Sequence, residues 1–284
     1  MKVVNNQSLI TLVNGKPQTV VSVFDRGLNY GDGVFETILC RNASPTLWAL
    51  HLDRLCLGLA KLKIALEASV IEHYKDKLLA QVMADGLEPQ GLLKIIVTRG
   101  VGARGYAPAG SSPMVIMNWF AKSLVSVDRA EHGVSADICA IKLGRNKQLA
   151  GIKHLNRLEQ VMAAQELQAS DADEGLLLDT ENNVVEAISK NIFLVKRGVL
   201  YTPLLTHAGV KGVMREHIIN IIAPALGLAV SEQDIAASSL TEFDEAFLCN
   251  SVQGLWPLKS IGDKRLVIGN TSKLIQREVE KCLS

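Results

Sequence analysis

The chain has 284 residues, and its 48% hydrophobic and 21% charged composition excludes a disordered or collagen-like polymer. Thirty Lys and Arg against twenty-nine Asp and Glu leave a net charge of +1, so neither nucleic acid nor an anionic membrane is an expected partner. Five scattered cysteines (Cys40, Cys56, Cys139, Cys249, Cys282) with no C-x-x-C spacing predict reduced thiols rather than a disulfide framework or a structural zinc site.

Taken in chain order, the apolar run after Lys2 stops at Asn5, so no signal-peptide hydrophobic region is expected and the cytoplasm is the expected compartment. Leu52, Leu55, Leu59, Leu62 and Leu66 step by three and four along one face and predict a helix. Leu92 to Thr98 and Met114 to Trp119 are compact apolar runs bounded by Gly and Pro, and they predict strands. Between them Gly100, Gly102 and Gly105 spell the G-x-G-x-x-G of a dinucleotide site. Tyr106, Pro108, Gly110 and Pro113 follow where that motif must open a helix, so the segment predicts a loop. That loop is either a connector or a substrate loop presenting Arg99, Arg104 and Tyr106. Ala121 to Asp128 carries no strong period and is the expected linker, dividing the chain into domains at 1–120 and 121–284.

Beyond the linker, helices are expected over His154 to Gln168 and over Val213 to Leu226, the latter entered from Gly212. Strands are expected over Gly175 to Leu178, Asn191 to Val195 and Ala246 to Cys249. A last helix, Ser272 to Leu283, has Asn270 or Thr271 as its expected N-cap. Ile218 to Val230, interrupted by Asn220 and Pro224, falls short of the ~20 residues of a membrane span and reads as a buried helix. Hairpins mixed with helices predict an α+β (mixed α/β) architecture rather than a regular βαβ alternation.

No H-E-x-x-H, Walker A or G-x-S-x-G motif occurs, and six scattered histidines give no metal pattern, so no metal is expected. Lys153 stands out because the small residues Ala150 and Gly151 ahead of it let backbone approach a ligand. Gly212 would open a helix with free N–H groups suited to a phosphate, and Arg54 offers a guanidinium. Glu186, after Val184 and Val185, is a carboxylate at a strand end. Taken singly, Lys153 and Glu186 are more often solvated surface charges than catalytic groups.

Together they fall into a pattern. Asp25-Arg26-Gly27-Leu28-Asn29-Tyr30-Gly31-Asp32-Gly33-Val34-Phe35-Glu36-Thr37, His51-Leu52-Asp53-Arg54-Leu55, Gly151-Ile152-Lys153-His154-Leu155-Asn156, Val185-Glu186 through Asn191-Ile192-Phe193, and Lys211-Gly212-Val213-Met214-Arg215 occur in the order seen in fold-type IV pyridoxal-phosphate enzymes, which the chain resembles over roughly residues 20 to 260. That group includes branched-chain and D-amino acid aminotransferases and aminodeoxychorismate lyases. The run Lys142 to Gln160, with the loop Arg99 to Tyr106, is most similar to the lyases.

The resemblance implies a two-domain fold, with a smaller N-terminal α/β domain and a larger C-terminal pseudo-barrel domain containing the cofactor lysine. It implies pyridoxal 5'-phosphate as cofactor, with Lys153 as the catalytic lysine that carries it and Glu186 as partner of the pyridine nitrogen. Arg54 and the backbone amides of Val213 and Met214 would hold the phosphate. Asn250 and Ser251 match a further phosphate position, although the pair there is otherwise rich in hydroxyls. Arg104 matches a substrate-carboxylate arginine, Tyr106 stands where the aminotransferases have an assisting histidine, and Lys190 replaces a small residue. The implied reaction is elimination from 4-amino-4-deoxychorismate to 4-aminobenzoate and pyruvate in folate synthesis, by a homodimer. An aminotransferase on the same scaffold is the alternative, and a non-catalytic carrier or interaction module is a third reading.

Overall fold

The computed structural model describes residues 8–108, 112–121 and 127–284. They divide into two compact units, one made of the first 124 positions together with Ile152–Asn156, the other of the remaining positions through Ser284. Residues 122–126 of the expected linker lie outside the described residues; Ala121 closes a strand, and Asp128 sits in a short helix. Lys153, expected in the C-terminal half, is grouped with the first unit.

In the first unit the elements are β1 (Ile10–Val13), β2 (Lys16–Pro17), α1 (Arg26–Tyr30), β3 (Gly33–Arg41), β4 (Ser44–Pro45), α2 (Trp48–Leu62), α3 (Ala68–Ala84), β5 (Gly91–Thr98) and β6 (Met114–Ala121). The strands form one antiparallel sheet in the order β2-β1-β6-β5-β3-β4. Alternation along β5 buries Leu93, Ile95 and Val97 against Leu55, Leu59, Ile71 and Leu78 of the two helices. The leucine helix ends at Leu62, because Lys63 turns left-handed with φ 55°, so Leu66 lies beyond it. The helix α3 had no expectation; its charged residues interrupt the apolar period that would have marked it.

The glycine-rich stretch before β3 has local physical reasons. Asp25 Oδ1 accepts from the N–H groups of Gly27 and Leu28 at 2.8 and 3.2 Å, capping α1. Gly31 ends α1 with φ 65°, the left-handed conformation that glycine adopts without strain.

The second unit contains α4 (Val127–His132), β7 (Val134–Leu143), α5 (Leu158–Gln168), β8 (Glu174–Asp179), β9 (Val184–Ala187), β10 (Asn191–Lys196), β11 (Val199–Pro203), α6 (Val213–His217), a π-turn (Ile218–Ile222), α7 (Ala223–Ala225), β12 (Val230–Gln233), a 3-10 turn (Ala237–Glu242), β13 (Glu245–Asn250), β14 (Gly254–Ile261), β15 (Lys264–Arg265) and α8 (Asn270–Leu283). Its sheet runs β12-β11-β10-β13-β14-β7-β8-β9 and curls until β9 comes against β10 and β11, the pseudo-barrel that was expected. Inside the curl lie Leu176, Leu178, Ile192, Leu194, Leu248, Trp256 and Leu258. The mixed α+β class is thus the observed one.

Three expectations need correction here. The helix expected from His154 begins only at Leu158; His154 instead makes an antiparallel bridge to Val34, and Leu155 N–H donates to Gly33 O at 3.0 Å. The N-cap of α8 is Gly269 rather than Asn270 or Thr271, because Glu245 Oε2 accepts from Ser272 N–H and Oγ–H at 2.9 and 2.7 Å and supplies the capping acceptor from β13. The stretch from Ile218 is helical only to Ala225, with Ile218 and Ile222 buried and Ile221 exposed. Among the described residues no helix is long and apolar enough to cross a membrane.

Candidate active site

In the first unit, Lys153 lies on the extended segment beside β3. Its carbonyl accepts from Phe35 N–H at 3.0 Å, and its ammonium sits 4.4 Å above the Phe35 ring. A half-buried lysine is thereby held at both backbone and head, the latter by a cation–π contact. The next residue of β3, Glu36, points to the opposite face. Its carboxylate is buried and takes Arg54 Nε–H at 2.7 Å and Nη2–H at 2.5 Å, while His51 Nδ1 approaches Oε2 at 2.7 Å. Burial alone would raise the Glu36 carboxyl, but the Arg54 charge and the hydrogen bonds from His51 and Arg54 outweigh it and hold the pKa to about 2. Burial lowers the His51 pKa against the pull of Glu36, so the imidazole is neutral and donates through Nδ1.

The loop Gly100 to Gly105 is held from α1. Arg26 is buried and donates Nη1–H to Gly105 O at 2.9 Å and Nη2–H to Tyr106 O at 2.7 Å, while its Nε–H reaches Asp32 at 3.0 Å. A Cβ on Gly102 would stand 2.7 Å from Arg26 Cδ, which is why a glycine is needed there. Arg104 and Tyr106 project outward, Tyr106 being 85% exposed with its ring 5.5 Å from that of Tyr30.

In the second unit, Glu186 on β9 is buried instead of being a surface acid. Its Oε2 accepts from Val210 N–H at 2.8 Å, and Gln160 Nε2 lies 3.4 Å from Oε1. Burial lowers the Arg157 pKa, and the Glu186 charge opposes that shift. Asn191 donates Nδ2–H to Val210 O at 2.9 Å, so the N–H and the C=O of Val210 are both held by side chains, from β9 and β10. Two residues on, Gly212 is the N-cap of α6 and brings no side chain of its own to cap that first turn. A Cβ at Gly212 would lie 1.9 Å from Asn191 Oδ1.

Asn250 and Ser251 stand at the turn after β13. The Asn250 Oδ1 accepts from Val252 and Gln253 N–H at 3.0 and 2.7 Å within the turn, and its Nδ2 reaches Ser189 O at 3.2 Å in the β9–β10 connection. Lys190 is in the β9–β10 turn and buried: its ammonium pairs with Glu174 at 2.8 Å and stacks 3.9 Å over Trp256. Burial pushes its pKa down while Glu174 pulls it up. The departure from a small residue is therefore accommodated by a buried partner on β8, which sequence could not reveal.

Within the first unit Lys153 and Arg54 both lie in electrostatic range of His51, and within the second Glu186 is joined to the segment leading into Val213 and Met214. Glu36, His51, Gln160 and Asn191 are functional candidates to which sequence reading assigned no role. For Glu36 a signal existed, since an acid falls in the buried phase of β3 with Val34 and Ile38.

The profile of the Amino-transferase class IV family matches residues 33–261. The chain is 34% identical over 250 residues to the aminodeoxychorismate lyase of Vibrio harveyi, covering 88% of this chain and 90% of that protein. The crystal structure of 4-amino-4-deoxychorismate lyase from Pseudomonas aeruginosa superposes with a TM-score of 0.90 at 38% identity, covering 96% and 98% of the two chains. D-alanine aminotransferase of Listeria monocytogenes is 27% identical over 292 residues, covering 99% of this chain and 96% of that protein.

Proposed function

Because this chain belongs to the class IV aminotransferase family of pyridoxal-phosphate enzymes, we propose that it is a 4-amino-4-deoxychorismate lyase, releasing 4-aminobenzoate and pyruvate for folate synthesis in the cytoplasm. The observation that carries this reading is the 38% identity to a lyase of the same fold along 96% of the chain.

The residues present fit the family's cofactor. Glu186 is a buried carboxylate that can face a protonated ring nitrogen, and Gly212 leaves a cradle that a Cβ would fill at a helix start whose N-cap residue has no side chain. When bound, the cofactor supplies an electron sink that lowers the barrier to carbanion formation next to the substrate nitrogen. Lys153 carries the cofactor, Arg54 with the Val213 and Met214 amides holds its phosphate, and Glu186 keeps its ring nitrogen protonated.

With the cofactor bound, the neutral Lys153 amine would be the base that takes the proton from ring C4 of the substrate. The resulting electron pair expels the enolpyruvyl ether oxygen from C3, and the same ammonium returns a proton to that oxygen. Once protonated, the Lys153 ammonium is held over the Phe35 ring for the second transfer. Substrate carboxylates meet Arg104 and Tyr106, whose loop Arg26 holds in place. Active enzyme would be a homodimer, the exposed apolar side chains of Val20, Val23, Phe24 and Leu28 supplying contact surface, with the Arg104 loop serving the neighbouring subunit.

The test is catalytic formation of 4-aminobenzoate from aminodeoxychorismate with no keto acid added. A transaminase would stall after one half-reaction. D-alanine or a branched-chain amino acid alone would then bleach the visible absorbance of the bound cofactor stoichiometrically, with no 4-aminobenzoate formed. That outcome would replace the lyase reading by the aminotransferase one, which the 27% identity to a D-alanine aminotransferase supports.

A further inference from the structure

An arginine in the middle of a helix reaches a phosphate through a long, flexible side chain, and its contribution depends on how that side chain is aimed. Arg54 is on α2, and its guanidinium plane is fixed by a two-point contact with Glu36 through Nε and Nη2. Glu36 is itself rigid: its backbone is paired with Ile95 in the sheet, and its second anchor is the buried His51 Nδ1–H. The same strand positions Lys153 through Phe35, one residue earlier.

We propose that Glu36 is a positioning residue that aims the Arg54 guanidinium at the cofactor phosphate, with His51 holding the carboxylate in the orientation this requires. The inference rests on the assignment of Arg54 to the phosphate made above. Its charge balance makes it distinguishable from simple electrostatics. Glu36 is an anion beside a site for an anion, so by Coulomb's law alone its neutralisation would tighten phosphate binding. Positioning requires the opposite sign: losing the fork lets Arg54 sample other rotamers, and phosphate binding weakens.

The experiment compares dissociation constants for pyridoxal 5'-phosphate and for pyridoxal, which lacks the phosphate, in wild type, Glu36→Gln, Arg54→Ala and the double variant. Glu36→Gln is expected to weaken pyridoxal 5'-phosphate about tenfold or more, the scale of a charge-assisted contact, and to leave pyridoxal unchanged. Arg54→Ala should weaken the phosphorylated ligand at least as much, and adding Glu36→Gln to it should cost nothing further. Tighter or unchanged binding in Glu36→Gln while Arg54→Ala weakens would overturn the positioning role. An equal loss for pyridoxal would overturn it in favour of a merely structural one. Unchanged binding in Arg54→Ala would overturn the phosphate assignment itself, and the inference with it.

Should Glu36→Gln fail to fold, Glu36→Asp keeps the charge but is one methylene too short to reach both nitrogens. The same phosphate-selective loss is expected of it, and wild-type affinity there would refute the proposal.

Discussion

Gly212→Ala is the sharpest probe of the phosphate role proposed for the start of α6. Gly212 has φ −70° and ψ 140°, a conformation open to any L-residue, so backbone strain does not explain the glycine. The reason is contact: the new methyl would stand 1.9 Å from Asn191 Oδ1, about 1.4 Å inside an ordinary C···O approach of ~3.3 Å. Asn191 is buried, and its Nδ2–H is committed to Val210 O at 2.9 Å. If Asn191 yields, a buried carbonyl loses its donor, at a cost of about 1–3 kcal/mol. If the helix start yields, the Val213 and Met214 N–H groups move away from where a phosphate would meet them. Either relief should lower the melting temperature by roughly 2–10 °C in calorimetry. It should also weaken pyridoxal 5'-phosphate at least about tenfold by equilibrium dialysis. A variant with wild-type melting and wild-type cofactor affinity would refute the account of Gly212 as a filled contact guarding the phosphate cradle.

Borohydride reduction of the cofactor-loaded protein, followed by peptide mapping, should label Lys153; a stable label on another lysine would remove it from the carrier role. Glu186→Gln should keep the Val210 N–H satisfied through its amide oxygen and still bind cofactor, yet turn over more than about tenfold slower, because a neutral amide no longer favours a protonated ring. Wild-type turnover there would exclude Glu186 from the chemistry. The Glu36 pKa of about 2 lies below its unfolded value near 4.5, so the unfolded chain binds the extra proton as pH falls. Its stabilisation is full above pH 4.5 and is lost as pH falls through about 2, amounting to roughly 3 kcal/mol. Glu36→Gln should flatten denaturant stability against pH in that window, and an unaltered slope would contradict the ion-pair account.

Much of the fold could be read from local pattern because its signals are local. Apolar runs bounded by turn residues located β5, β6, β8, β10 and β13, and Gly212 marked the start of α6. The family, the cofactor and the identity of Lys153 as a candidate followed from short motifs in order. Where a neighbour distant in sequence supplies the deciding interaction, the sequence was silent or misleading. The segment from His154 has helical periodicity, but an unpaired edge of β3 offers it backbone partners, so it is extended as far as Asn156. Asn270 and Thr271 are good caps in isolation, but Glu245 had already filled that place from β13. Lys190 looks anomalous until Glu174 and Trp256 surround it, and Glu36 has no visible role until α2 brings His51 and Arg54 to it. Helix and strand periods are written in neighbouring residues, whereas the ionisation and aim of a buried side chain depend on charges that only the folded chain brings within a few ångströms.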